Sequence, residues 1–295
     1  MQRKTLHKQY KKLGISAVRR IGFSFFAVIL IGSILLSLPM SHTIHSTSSY
    51  LDHLFVATSA TCVTGLVTHV TASEYTLFGQ IVIILLIQIG GLGFLTLMSM
   101  FFVLLKRKLT YANKIVMQEA LNRNSLNETG IYIKRVIKYT VCFELIGAIC
   151  LAFVFIPQFG ILKGIYYSLF HAISAFCNAG FDILGTPANP FPSITAYAEN
   201  PIVNVVIMFL IIAGGIGFLT WEDICINKTH FRKYHMQSKI ILVTTALLIV
   251  LPAVFFFFSD FTHLSVGKRL LASAFQAVTP RTAGFNTMDI SKMTE

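Results

Sequence analysis

Charge is what this 295-residue chain has least of: only 12% of its residues are Asp, Glu, Lys or Arg. A soluble domain carries about 25%, so the chain lacks the polar surface needed to cover a core in water. Carboxylates are the scarcer sign, with 12 acids against 24 Lys plus Arg. No two acids are placed as a catalytic dyad, none of the nine histidines stands in an HExxH pattern, and no nucleophile is paired with a base. An enzyme is not expected. Cysteine is scarce too: Cys62, Cys142, Cys150, Cys177 and Cys225 contain no CxxC pair and no zinc spacing. Cys142 and Cys150 fall within one apolar run, where free buried thiols are the ordinary reading.

Apolar residues fill the gap, at 55% with 26 Phe and a mean hydropathy of +0.71. Several uncharged runs reach the roughly 20 residues that a helix needs to cross a bilayer. The expected class is an all-α polytopic membrane protein. Its basic residues are clustered, seven in the first twenty positions, seven from Lys106 to Arg135 and four from Lys228 to Lys239. Segments 40–75 and 157–200 together hold one, Lys163. Basic loops alternating with non-basic ones mark the cytoplasmic side, so the net charge of +12 reports topology rather than nucleic-acid binding. It places the N-terminus in the cytoplasm. The run from Ile21 to Pro39 is long for a signal peptide and no A-x-A site follows it, so it reads as the first membrane helix.

The chain also repeats itself. LIQIGGLGFLT (86–96) and LIIAGGIGFLT (210–220) match at eight of eleven positions, and such repeats are read before other features. Upstream of each lies a polar segment with a glycine, SATCVTG (59–65) and SAFCNAG (174–180); a third relative, VTPRTAG, occupies 278–284. The unit predicted around them begins with a long helix at about 20–39, 138–157 and 239–258. A short helix of about ten residues follows at 50–59, 165–175 and 267–277, the first with Ser49 and Asp52 as an N-cap pair. After the polar segment comes a second long helix, at about 76–104 and 200–224.

Ten helical residues span about 15 Å, half a hydrocarbon core, so the short helix must enter and leave on the non-basic, outer side. Non-helical backbone at that depth is tolerated only where it is buried in protein or lines an aqueous path. A ring of backbone carbonyls can replace the hydration shell of K+. The expected ion-binding filter is therefore Thr61, Cys62, Val63, Thr64 and Gly65, then Cys177, Asn178, Ala179 and Gly180, then Arg281, Thr282, Ala283 and Gly284. Pro157 is expected to close its helix. Gly90, Gly91 and Gly93, with Gly214, Gly215 and Gly217, are expected to let helices pack closely, with hinge or gate roles open. Glu144 is expected to pair with Lys138 or to reach the interface, and His42, His45, His53 and His69 to lie in outer loops. The basic segments 106–135 and 225–239 are expected to meet anionic lipid.

SATCVTGL, FCNAGFDI (176–183) and VTPRTAGFNT (278–287) resemble filter segments of the Trk/Ktr/HKT potassium transporter superfamily, most of all its Ktr system membrane subunit (KtrB-like). The resemblance implies K+ uptake across a bacterial cell membrane, with Na+ as a possible coupling or activating ion and no cofactor in this chain. It implies four helix–pore-loop–helix repeats around one pore, each giving one filter glycine. It also implies a homodimer and a cytoplasmic, RCK-type nucleotide-binding ring (KtrA-like) that docks on the basic segments. The organisation expected on this pattern is a basic cytoplasmic N-terminus at 1–18, repeat one at 19–105 and a loop at 106–137. Repeat two follows at 138–225, a loop at 226–238 and part of repeat three at 239–295. Against that pattern the chain stops at Glu295 before a fourth repeat, and the expectation is a piece that inserts but carries no selective current alone. The alternative is a non-conducting carrier or scaffold with repeated hairpins. Both Gly-Gly helices run from outside to inside, which fits an axis along the membrane normal and a pore better than inverted repeats.

Overall fold

The computed structural model of the protein describes residues 17–43, 47–93, 129–186, 193–262 and 264–288. The basic N-terminus, His45, the outer stretch 187–192, Lys106 to Lys108 and most of their loop lie outside the described residues.

Among the described residues the chain is helical and contains no strand. α1 is Ala17–Leu36 and α2 is Tyr50–Cys62. A single turn, α3 (Thr71–Glu74), precedes α4 (Leu77–Leu92). α5 is Thr129–Phe159 and α6 is Ile161–Phe176. α7 (Pro201–Gly215) and α8 (Phe218–Asn227) follow, then α9 (Met236–Phe258) and α10 (Val266–Val278).

Capping sets several of these starts. The Ser49 backbone N–H donates to Asp52 Oδ2 at 2.8 Å, as expected for α2. Asn200 Oδ1 accepts from the N–H groups of Ile202 (3.0 Å) and Val203 (3.2 Å), and Pro201 occupies the first turn of α7, where its missing N–H costs nothing. α9 is capped from a distance, the His235 N–H donating to the buried Asp223 Oδ2 at 3.0 Å.

Four boundaries differ from the sequence expectation, the first being the start of α5 at Thr129, nine residues before position 138 and inside the expected loop. α5 runs through Pro157 and ends at Gly160, whose φ is 80°; this glycine makes the tight return into α6. The short helices are longer than ten residues, at 13 for α2, 16 for α6 and 13 for α10. The helix expected at 200–224 is broken: α7 and α8 meet at 97° across Gly217, which has φ 79°. α4 stops at the equivalent Gly93, φ 77°.

Leu36, Ile83, Ile87, Phe155, Phe170, Phe181, Phe275 and Phe285 are fully buried in one apolar cluster drawn from both halves of the chain. α9 is the opposite case, with Val243, Leu247, Leu251, Phe255 and Phe258 all exposed. In water an apolar face of this extent is a liability; hydrocarbon is the solvent it matches. Tyr132–Phe159 and Met236–Phe258 are each long and apolar enough to cross a bilayer, and α7 with α8 becomes a third such span if counted as one bent helix. α1 and α4 carry shorter apolar stretches.

Candidate functional site

The C-terminal ends of α2 and α6 are built alike. In the first, the Thr64 N–H donates to Ser59 O at 2.9 Å and the Val63 N–H to Ala60 O at 3.3 Å. In the second, Ala179 donates to Ser174 O at 2.7 Å and Asn178 to Ala175 O at 3.1 Å. These are Schellman closures, in which one residue must turn left-handed. That residue is Val63 (φ 58°) in one and Asn178 (φ 59°) in the other. Asn tolerates this state, but a β-branched Val there is an outlier, and such strain costs of order 1–3 kcal/mol. Two residues on, Gly65 (φ 77°) and Gly180 (φ 73°) are left-handed as well. The third segment reaches the same end by another path. A short 3-10 turn, Thr279–Arg281, continues α10. Thr279 O then accepts from Ala283 (3.1 Å) and Gly284 (3.2 Å), and Gly284 has φ 78°.

The three segments lie side by side in chain order. A Cβ placed on Gly65 would overlap the carbonyl oxygen of Ala179, and one on Gly180 would overlap that of Ala283. Each glycine is thus pressed against the carbonyl that precedes the next glycine. Thr282 Oγ1 donates to Asn178 Oδ1 at 2.8 Å across the second and third segments. Hydroxyls hold the residue after the glycine: Ser174 Oγ donates to Phe181 O (2.8 Å) and Thr279 Oγ1 to Phe285 O (2.6 Å). The helix ends that lead into the segments carry partial negative charge.

The paired glycines form the wall behind. A Cβ on Gly90 would overlap Thr61 O, and one on Gly214 would overlap Phe176 O. Thr61 and Phe176 are the equivalent residues of SATC and SAFC, so each repeat presses the last turn of its short helix onto the first glycine of its own pair. Close packing is seen at Gly90, Gly91 and Gly214, whereas a Cβ on Gly215 or Gly217 would meet nothing within 4 Å among the described residues.

Apart from the Thr282–Asn178 hydrogen bond, the side chains of the expected site residues do not converge as the backbones do. Cys62 is exposed. Cys177 is buried and directs Sγ to Gln88 Oε1 at 3.6 Å. Arg281 turns to α9, where Nη2 donates to Thr245 Oγ1 at 3.2 Å. Beyond that one bond, what the segments share is main chain.

Two readings of polar residues change. Glu144 is buried and accepts from Gln88 Nε2 at 2.8 Å, across from α4, instead of pairing with Lys138. His53 is buried in α2, stacked on His42 with ring centroids 5.4 Å apart and with Nδ1 3.0 Å from the Tyr75 hydroxyl. Tyr166 donates to Gln80 Oε1 at 2.9 Å, tying α6 to α4. The sequence signal for both glutamines was their isolation eight residues apart in an otherwise apolar helix. At the N-terminal end of α2, the Ser49 N–H and hydroxyl hold the Asp52 carboxyl below the usual carboxylate range.

A family model for the TrkH cation transport proteins matches residues 23–295. The chain belongs to that family. Among curated TrkH-type relatives, the potassium/sodium uptake protein NtpJ of Enterococcus hirae is 40% identical over 294 residues, covering 98% of this chain and 64% of that protein. The Ktr system potassium uptake protein B of Bacillus subtilis is 41% identical over 281 residues, covering 93% of this chain and 61% of that protein. The protein of the same name from Vibrio alginolyticus is 34% identical over 287 residues, covering 94% and 61%. The chain therefore spans just over three-fifths of the length of these relatives.

Proposed function

We propose that residues 61–65, 177–180 and 281–284 contribute to the selectivity filter of a potassium uptake transporter, with K+ as the transported ion held by backbone carbonyls. The observation that carries this reading is the placement of Gly65 against the Ala179 carbonyl and of Gly180 against the Ala283 carbonyl. Three left-handed glycines at equivalent positions (φ 77°, 73° and 78°) turn successive carbonyls in a way that residues with a Cβ resist. On this reading each short helix, its segment and the flanking long helices form one pore-loop repeat, and Na+ couples to or activates transport. The names of the relatives support the ion.

The filter is tested by replacing Gly65, Gly180 and Gly284 singly with Ser in the complete gene product and measuring K+ and Na+ uptake. At Gly65 and Gly180 the Cβ and hydroxyl displace the neighbouring carbonyl, and at Gly284 the left-handed φ of 78° resists a Cβ, so K+ preference over Na+ falls at each position. Unchanged preference at all three would remove the filter.

The resemblance adds a homodimer and an RCK-type nucleotide-binding ring beneath the membrane. Charge reversal at Arg232 and Lys233, both exposed, weakens co-purification with that ring on this account; equal recovery would leave these residues as topology signals.

A further inference from the structure

A polar chain crosses three elements behind the second segment. Glu144 stands on α5 and Gln88 on α4, while Cys177 opens the segment after α6. Gln88 donates Nε2–H to Glu144 Oε1 at 2.8 Å and accepts Cys177 Sγ–H on Oε1 at 3.6 Å. In this orientation the amide meets both partners with complementary groups, its NH2 to the carboxyl oxygen and its oxygen to the thiol. Gly91 completes the contact, because a Cβ there would lie 2.7 Å from Cys177 Sγ. Glu144 and Cys177 are both buried, at 7% exposure each.

A carboxyl within an apolar helix is costly to keep, and such residues are functional candidates by default. Among the described residues no basic side chain pairs with it. Its hydrogen-bond partner is an amide whose other end holds the first residue of a filter segment. A third element is also fastened: α4 belongs to the first repeat and Cys177 to the second, so the chain sets where one repeat's segment sits against the other repeat's helix.

We infer that Glu144 is a positioning residue for the second filter segment, acting through Gln88 on Cys177. This rests on the filter reading above. The hydrogen-bonding carbonyl oxygen of the side chain is the part that matters, since it orients Gln88. Glu144→Gln keeps an acceptor of the same reach; Glu144→Ala and Glu144→Leu remove it and free the amide to turn.

The test uses the complete gene product in a bacterium lacking K+ uptake, with membrane abundance measured for every variant. Initial rates of K+ and Na+ uptake give the ion preference, and K+ titration separates half-saturation from maximal rate. Glu144→Gln is expected to keep the preference. Glu144→Ala is expected to lower it about fivefold, the equilibrium ratio of one lost hydrogen bond, with half-saturation shifted more than maximal rate. Gln88→Ala is expected to match it, and the double variant to add little, as members of one network do. If Glu144→Ala fails to reach the membrane, Cys177→Ala decides the matter by lowering the preference in the same direction. Wild-type preference in Glu144→Ala or in Cys177→Ala, alongside altered preference in Gly180→Ser, would overturn this inference and leave the filter standing. Wild-type preference in the glycine variants as well would remove both.

Discussion

At Gly214 there is no room for a methyl group, and at Gly215 there is. The two look interchangeable in the motif AGGIG, yet a Cβ on Gly214 would overlap the Phe176 carbonyl oxygen, whereas one on Gly215 meets nothing within 4 Å among the described residues. Gly214→Ala must therefore push the last turn of α6 off α7, an overpacking that costs about 1–3 kcal/mol. Gly215→Ala adds a methyl to an open helix surface and gains up to about 1 kcal/mol of helix propensity. Thermal stability of the detergent-solubilised variants separates them: Gly214→Ala is expected to melt lower than wild type and Gly215→Ala at or above it. Equal melting would mean that the close approach is not sustained. Periodicity exposed the motif but could not assign a partner to either glycine, because the partner is 38 residues away in sequence, on a different helix. Glu144 was opaque for the same reason: its neighbour in space is Gln88, and only Lys138 was near it in sequence.

Among the elements, hydropathy alone located α1, α5 and α9, and the polar interruptions located the segments after α2, α6 and α10. The lengths of the short helices were less legible. Thr61 and Cys62 read as filter residues but sit in the last turn of α2. The 13 residues of α2 and α10 span about 20 Å and the 16 of α6 about 24 Å, each short of a hydrocarbon core of about 30 Å. The break between α7 and α8 was not legible at all. In a straight helix the Gly217 N–H would donate to Ala213 O; here the Trp221 indole Nε1–H takes that carbonyl at 2.8 Å, so the bend is stabilised by a side chain that lies beyond it. The Lys/Arg clusters predict which ends of the elements face the cytoplasm. Cysteines introduced at Thr47 and Lys163, in a background without native thiols, are expected to react with an impermeant thiol reagent on intact cells, and one at Thr229 only after lysis. The reverse pattern would contradict the topology.

For the whole molecule, the repeat was visible as eight matches in eleven residues, and its consequence, three segments set beside one another in chain order, required the fold. The segments come together because each rests on a glycine-lined wall or on its neighbour's carbonyl, and because the aromatic residues after two of the glycines, Phe181 and Phe285, are both fully buried in the shared core. The central claim is that these main-chain carbonyls hold the transported cation. Anomalous scattering from Rb+ in crystals of the complete gene product tests it without reference to transport rates. The account predicts a peak between the three segments, within coordination distance of carbonyls from residues 63–65, 178–180 and 282–284. Rb+ bound instead by side chains such as Glu144, with no peak between the segments, would contradict it.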